Sequence, residues 1–247
     1  IPKSFYVNVN PCLPEVRAYL ADLCRELATN YAVDGLHLDY LRFPDATPEV
    51  SERLGTDPQD LKYTGENTFL QIGDRTTIRE FATINRATGE GQKTSVGSDV
   101  LICAYAHVAH NCAIGDHVVI VNAVQLAGHV GVEDWAYIGG MTAVQQFSQI
   151  GAHSYVGGAC RITKDVPPYF KIGGSPTRPI EVNTVGLQRR GFSEDSLNQL
   201  RKAYRLIYLS DLNTTQAVEK IREELPRTEE IDRLVSFIEG STRGIIK

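Results

Sequence analysis

The chain has 247 residues, 42% hydrophobic and 22% charged, a balance that suits a soluble globular protein of one or two domains. Its net charge of -5 argues against a nucleic-acid binder, and no apolar run approaches the roughly 20 residues of a membrane span. Five cysteines (Cys12, Cys24, Cys103, Cys112, Cys160), odd in number and without a CxxC pair, are expected to be reduced thiols of a cytoplasmic protein.

The chain opens on Ile1 rather than Met and carries no charged-then-apolar leader, which suggests a fragment. Its first part, "YVNVNPCLPEVRAYLADLCRELATNYAVDGLHLDYLRFP", reads as a loop, an amphipathic helix over residues 14–31 and a buried strand, with Pro14 suited to a first helical turn. This resembles one helix–strand unit of a glycoside-hydrolase-like (β/α)8 barrel, with Asp39 and Arg42 at the mouth of the strand. One unit cannot close a barrel, and two carboxylates suitably spaced across a sugar are missing, so no working glycosidase is expected. Residues 1–57 are read as a foreign α/β segment fused to the next domain in place of that domain's own first coils. Such a fusion leaves a raw strand edge near Asp60 unless the segment partly covers it.

A period of six runs from Ile72 to Ile162: sixteen positions, fifteen of them Ile, Val or Leu. The exception, Glu90, lies in "RATGEGQKT", a polar glycine-rich stretch that reads as an inserted loop. Neither a helix nor a simple strand has this period; a short strand followed by a corner does. Such hexads resemble the hexapeptide-repeat family, and that resemblance implies a left-handed parallel β-helix with three hexads, hence eighteen residues, per coil. The aliphatic residue of each hexad would point inward and the coils would stack at about 4.8 Å.

Residues eighteen apart then share a column. His110 falls below Gly128 and Gln146, His107 below Gln125, and His129 one coil above Asn111, so His107, His110 and His129 share one edge. His117 and His153 share a column on another edge. Because Val108 points inward, His107 and His110 face outward, where a neighbouring subunit of a trimer would meet them. A zinc site needs three converging ligands, and His117 is on the wrong edge to complete a set, so no metal is expected. Cross-interface hydrogen bonding is one role open to these histidines. Acid–base catalysis is the other: a neutral imidazole can take a proton from a sugar hydroxyl, and the backbone N–H of Gly128, unshielded by a side chain, can face a developing oxyanion.

From Pro58 onward, "PQDLKYTGE", "IGDRTTIREFATINR", "AHVAHNC", "LAGHV", "IGGMTAVQQF", "DVPPY", "LQRRGFS" and "STRGIIK" resemble the UDP-N-acetylglucosamine acyltransferase family over about three quarters of the chain. The resemblance implies transfer of a 3-hydroxyacyl chain from acyl carrier protein to the 3-hydroxyl of UDP-N-acetylglucosamine, the first step of lipid A biosynthesis. It further implies a cytoplasmic homotrimer without a cofactor. By motif position His110 is the general base and Gly128 the oxyanion donor. Asp60, Lys62, Asn85, His107, His129 and Gln146 match sugar-nucleotide positions, Asn183, Arg189 and Arg190 nucleotide positions, and Gly158 the acyl-chain ruler. Asn85 and Gln145 stand where histidines are familiar, Val185 replaces a polar position, and Asn111 follows the base where an acid can occur. An amide at 111 can orient the imidazole only by hydrogen bonding.

After residue 176 the period stops, and residues 177–247 read as a helical domain after the β-helix of 58–176. Ser193 is a plausible N-cap for "SEDSLNQLRKAYRLIYLS", with Leu197, Leu200, Tyr204, Ile207 and Tyr208 on one face, and two more helices are expected near 214–225 and 228–239. The basic residues Arg189, Arg190, Arg201, Lys202 and Arg205 suit either a solvated face or a dock for acidic acyl carrier protein. The fold class is thus mainly β, with a C-terminal α-helical domain and an α/β N-terminal segment. Rival functions are acylation of an amine on an already acylated sugar, a zinc-dependent lyase of the hexapeptide group, and a fusion whose acyltransferase part is inactive.

Overall fold

The computed structural model describes residues 57–247 together with a two-residue strand, Leu41–Arg42. The helix expected at 14–31 and the strand mouth at Asp39 fall outside the described residues. From Phe69 the chain winds through three sheets in turn. Sheet one stacks Phe69–Ile72, Lys93–Val96, Ala113–Ile114, Gly131–Val132 and Gln149–Ile150. Sheet two stacks Thr77–Ile78, Leu101–Ile102, Val119–Ile120, Tyr137–Ile138 and Tyr155–Val156, and continues into Phe170–Gly173 and the antiparallel Arg178–Val182. Sheet three stacks Thr83–Ile84, His107–Val108, Gln125–Leu126, Ala143–Val144 and Arg161–Ile162. The result is a parallel β-solenoid of stacked coils.

The six-residue period exists because each two-residue strand is followed by a corner that turns on one residue in the left-handed region. Asp99, Tyr105, Asn111, His117, Ala123, His129, Trp135, Met141, Phe147, His153 and Ala159 all have φ between 55° and 67°. Each such residue costs roughly 1–2 kcal/mol of local strain, offset by the buried coil interior. The aliphatic column fills that interior: Val108, Ile120, Ile138, Ile150, Val156 and Ile162 are fully buried. A second inward column lies two residues earlier in each hexad, through Val100, Ala106, Cys112, Val118, Val124 and Val130. The six-step reading did not separate it, because its residues vary between Ala, Cys, Val, Ser and Thr. It places Cys112 inside the prism, where burial pushes the thiol up to about 12.

Coils are eighteen residues apart where Gly131 pairs with Ala113 and Gln149. The first coil is longer: Phe69 pairs with Lys93, Thr77 with Leu101 and Thr83 with His107, each twenty-four apart. The extra six residues are the inserted loop around Glu90. The expected raw edge is partly covered, since Leu41–Arg42 pairs antiparallel with Thr77–Ile78 at the start of sheet two.

Four helices follow: α1 (Thr184–Arg189), α2 (Glu194–Tyr208), α3 (Thr214–Glu224) and α4 (Glu229–Gly240). Ser193 caps α2 by accepting from the Ser196 N–H, with Glu194 and Asp195 in the first turn. Asn213 and Gln216 form a reciprocal capping box on α3. Leu197, Leu200, Ala203 and Ile207 pack with Ile221 and Leu234, and with Tyr169, Phe170 and Val182 from the solenoid's exit. Helix α1 has no counterpart in the sequence reading. Its Thr, Val and Gly are weak helix formers, and the burial of Leu187 carries it instead. The chain then returns to the solenoid: the Ile246 N–H donates to the Asp165 carbonyl at 2.9 Å, and Ile246 joins the prism core.

Candidate active site

Three columns of corners follow from this winding. Between sheets three and one run His110, Gly128 and Gln146; between one and two, Asp116, Asp134 and Ala152; between two and three, Asn122, Gly140 and Gly158.

In the first column the imidazole of His110 lies directly against Gly128. A Cβ at Gly128 would stand 2.5 Å from its Nε2 and 2.6 Å from its Cε1. The ring's other nitrogen, Nδ1, is 2.9 Å from Asn111 Oδ1, and the ring meets His129 edge-on at 5.2 Å. His110 was expected on the outer surface. It does lie outside the prism, yet is only 7% exposed. The reason is that the strap leading into the solenoid crosses this corner and brings Asp60 Oδ2 to 4.0 Å from Nε2. Asp60 stays ionised. The Lys62 N–H bonded to it, and then the charge of His110, hold its carboxyl below the ordinary value despite partial desolvation.

The corner amide has a measurable precedent in the next column. There the Ser98 N–H donates to Asp116 Oδ1 at 2.7 Å and the Asp116 N–H to Asp134 Oδ1 at 2.8 Å. Gly128 occupies the equivalent place in its own hexad. Among the described residues its N–H has no protein acceptor. Where a carboxylate oxygen sits in one column, a developing oxyanion can sit in the other.

Beside this pair, and walled by neither of the two, opens a cleft of about 620 Å³ lined by Asp60, Lys62, His129 and Gln146. Glu66, Thr88, Gly89 and Phe147, which the sequence reading did not select, also line it. Phe147 stacks on His129 at 4.7 Å, and column arithmetic from Asn111 would have found it. Thr88 and Gly89 belong to the inserted loop, whose break in period marked it but not its direction. His107 stands beside the cleft with Nδ1 2.7 Å from Thr83 Oγ1. Burial, and next the neighbouring His110, push His107 and His129 below the usual imidazole range, so both are neutral near pH 7.

Other expected site residues lie elsewhere. Asn85 is 1% exposed and its Nδ2 donates to the Asp57 carbonyl at 3.1 Å, so it anchors the strap instead of facing the cleft. Asn183 is buried against the second corner column, donating to the His153 carbonyl at 2.9 Å. Arg190 lies with its guanidinium 4.7 Å from the Trp135 ring at that corner, and Arg189 is exposed beside it. Arg201, from the basic cluster read in the sequence, pairs with Glu194 on α2. Gly158 belongs to the third column, where a Cβ would approach the Gly140 carbonyl oxygen to 3.2 Å. Within one chain, then, His110 and Gly128 converge, while the nucleotide and ruler residues occupy the other two edges. Among the described residues no three His, Cys, Asp or Glu side chains could hold a metal ion, and no helix is long and apolar enough to cross a membrane.

One residue past that second column, at the same corner, runs a ring stack: His117 on Trp135 at 3.9 Å, Trp135 to His153 at 6.3 Å, His153 to Tyr169 at 5.8 Å. Burial, then the charges of Arg190 and Arg233, push His153 down to about 4, while Asp134 opposes them. The unfolded chain therefore takes up a proton first as pH falls. Stability is full above about 6.5 and declines as pH drops toward about 4, by on the order of 1–2 kcal/mol after solvent screening. Urea unfolding at pH 7 and pH 5 reads this difference. His153→Phe, which keeps a ring between Trp135 and Tyr169, is expected to reduce it, and an unchanged difference would assign it to other groups.

A solenoid of hexads with an imidazole and a main-chain donor at one corner defines a hexapeptide-repeat transferase, and residues 93–128 match the family described as bacterial transferase hexapeptide (six repeats). Residues 165–246 match domain 2 of UDP-N-acetylglucosamine O-acyltransferase. A protein of Gloeothece citriformis named acyl-[acyl-carrier-protein]–UDP-N-acetylglucosamine O-acyltransferase is 47% identical over 189 residues, 76% of this chain and 68% of the relative. Its namesake in Burkholderia lata is 45% identical over 199 residues, 78% and 76% of the two chains. The crystal structure of a UDP-N-acetylglucosamine acyltransferase from Bacteroides fragilis superposes with a TM-score of 0.76 at 40% identity, covering 78% of this chain and 76% of that one. The chain belongs to the UDP-N-acetylglucosamine O-acyltransferase family. These matches do not bear out the (β/α)8-barrel resemblance of residues 1–57.

Proposed function

We propose that this chain transfers a 3-hydroxyacyl group from acyl carrier protein to the 3-hydroxyl of UDP-N-acetylglucosamine, the first step of lipid A biosynthesis. The observation that carries the reading is the placement of His110 Nε2 against Gly128, whose N–H has no protein acceptor among the described residues. The 3-hydroxyl gives its proton to Nε2 as its oxygen attacks the thioester carbonyl carbon. The carbonyl oxygen becomes an oxyanion and accepts from the Gly128 N–H. The tetrahedral centre then expels the carrier's thiolate, which takes the proton from the imidazolium. Ester and free thiol are the products, His110 is neutral again, and no cofactor is required.

Asp60, Lys62, His129 and Gln146 in the cleft serve the sugar end in this reading. The acyl chain lies along sheet three, which ends at His110's corner on one side and begins at Gly158's corner on the other. Gly140 and Gly158 leave that second corner bare, giving a long chain room.

The assembly is a homotrimer in which Asn183, Arg189 and Arg190 of one subunit complete the His110 cleft of the next. The separation of these residues onto different edges supports this, because a single chain cannot bring them to one sugar nucleotide. The soluble donor and acceptor fit a cytoplasmic location, as do the free thiols of Cys103, Cys112 and Cys160. Mixing subunits tests the assembly. His110→Ala and Arg189→Ala proteins, each impaired alone, are expected to regain transfer after unfolding and refolding together, because some clefts then join two native halves. Absence of recovery in verified mixed oligomers would put the whole site within one chain.

A further inference from the structure

The base needs its proton on Nδ1 and its lone pair on Nε2, and a side-chain amide does not by itself secure this. Asn111 could present either its oxygen or its NH2 to the ring. In this chain the choice is made by main chain from the inserted loop. The Thr88 N–H donates to Asn111 Oδ1 at 2.9 Å, and Asn111 Nδ2 donates to the Thr88 carbonyl at 3.1 Å. A flipped amide would set NH2 against N–H and oxygen against oxygen, losing both bonds and leaving like groups in contact. With Oδ1 held toward the ring, His110 Nδ1 must be the donor across their 2.9 Å. Nε2, the atom against Gly128, then carries the lone pair.

We propose that the Thr88 peptide is a positioning group for the reaction: it locks the Asn111 amide, and the amide fixes the His110 tautomer. This rests on the reading of His110 as the base. It gives the six-residue insertion a task, since Thr88, whose N–H and carbonyl both meet the Asn111 amide, lies in it.

The loop is itself tied down. The Gly89 N–H donates to Glu66 Oε1 at 2.8 Å, the Gly91 N–H to the Asn67 carbonyl at 2.9 Å and the Ala87 N–H to the Phe69 carbonyl at 3.3 Å. Asn111 is held from its other side, where its own N–H donates to the buried Thr94 Oγ1 at 2.9 Å. Its φ of 58° suits asparagine better than most residues. The lock also accounts for an amide where the family can carry an acid. A carboxylate could accept from Nδ1 and from the Thr88 N–H, but would meet the Thr88 carbonyl with no proton between them. Among the described residues the carboxylate beside Nε2 is that of Asp60, with Oδ2 at 4.0 Å.

The test is the ¹⁵N spectrum of the full chain labelled at histidine, recorded at alkaline pH and assigned against His110→Gln. The expected result is an Nδ1–H, Nε2-unprotonated ring for His110. Asn111→Leu, of similar size and without the amide, is expected to mix the two tautomers and lower kcat by about a hundredfold with KM for the nucleotide sugar little changed. An Nε2–H ring in the unsubstituted protein overturns the lock, as does an Asn111→Leu protein with the same tautomer and turnover. If His110 were not the base, His110→Gln would keep its turnover whatever the tautomer, so the two failures are distinct.

Discussion

Replacing His110 with alanine is expected to lower turnover of 3-hydroxyacyl transfer by about 10²- to 10⁴-fold, the span that a positioned general base contributes. That corresponds to roughly 3–5 kcal/mol of transition-state free energy. The fold is expected to survive. Among the described residues the ring makes one hydrogen bond to protein, at Nδ1, and when it is removed Asn111 Oδ1 still accepts from the Thr88 N–H. The core columns on either side, Val108 and Cys112, are untouched. Residual activity comes from the Gly128 amide and from holding the two substrates together, so the variant is slow without being inert. Initial rates with saturating donor and acceptor, alongside a thermal unfolding curve, separate loss of chemistry from loss of structure. A properly folded variant with near-native kcat would remove His110 from the reaction.

Gly128→Ala tests the same geometry from the other side. Glycine is not needed here for its backbone freedom, since Gly128 is absent from the residues with positive φ. It is needed for space: the new methyl carbon would sit 2.5 Å from Nε2. The coil around it cannot yield easily, because the Ala127 N–H donates to the Val144 carbonyl, the His129 N–H to the His110 carbonyl and the Phe147 N–H to the Gly128 carbonyl. The imidazole must therefore swing out and leave Asn111. Turnover is expected to fall by about a hundredfold or more, since a misplacement near 1 Å has that effect on its own. Stability should fall by about 1–3 kcal/mol, as for other overpacked sites. The telling result is a loss in kcat with binding of the sugar nucleotide largely kept. A Gly128→Ala protein with unchanged kcat would mean that the base and the oxyanion are served elsewhere.

The solenoid was legible because its physics repeats. One inward aliphatic residue per six is a strong signal, and the eighteen-residue columns that follow from it correctly set His110 under Gly128, His129 beside them, and His117 in line with His153. Two things were hidden. The second inward column tolerates Ala, Cys, Val, Ser and Thr, so no single residue type announces it, and Cys112 could pass for a ligand when it is core. The first coil runs to twenty-four residues, so columns cannot be counted through it at a constant step. That is why Thr88 and Gly89 were not foreseen beside His110; Asn85, placed by motif position, instead holds the strap. The burial of His110 depends on that strap, whose path from Asp57 to Glu66 has no period from which to read it. Helix α1 escaped because tertiary packing of Leu187, and not local propensity, sustains it.

The most direct measurement is a crystal structure of the protein with its acylated sugar-nucleotide product bound. The geometry predicts the sugar O3 within about 3 Å of His110 Nε2, the ester carbonyl oxygen facing the Gly128 N–H, and the acyl chain running toward Gly158. A product seated at a different corner of the prism, or with its ester turned away from His110, would contradict the account.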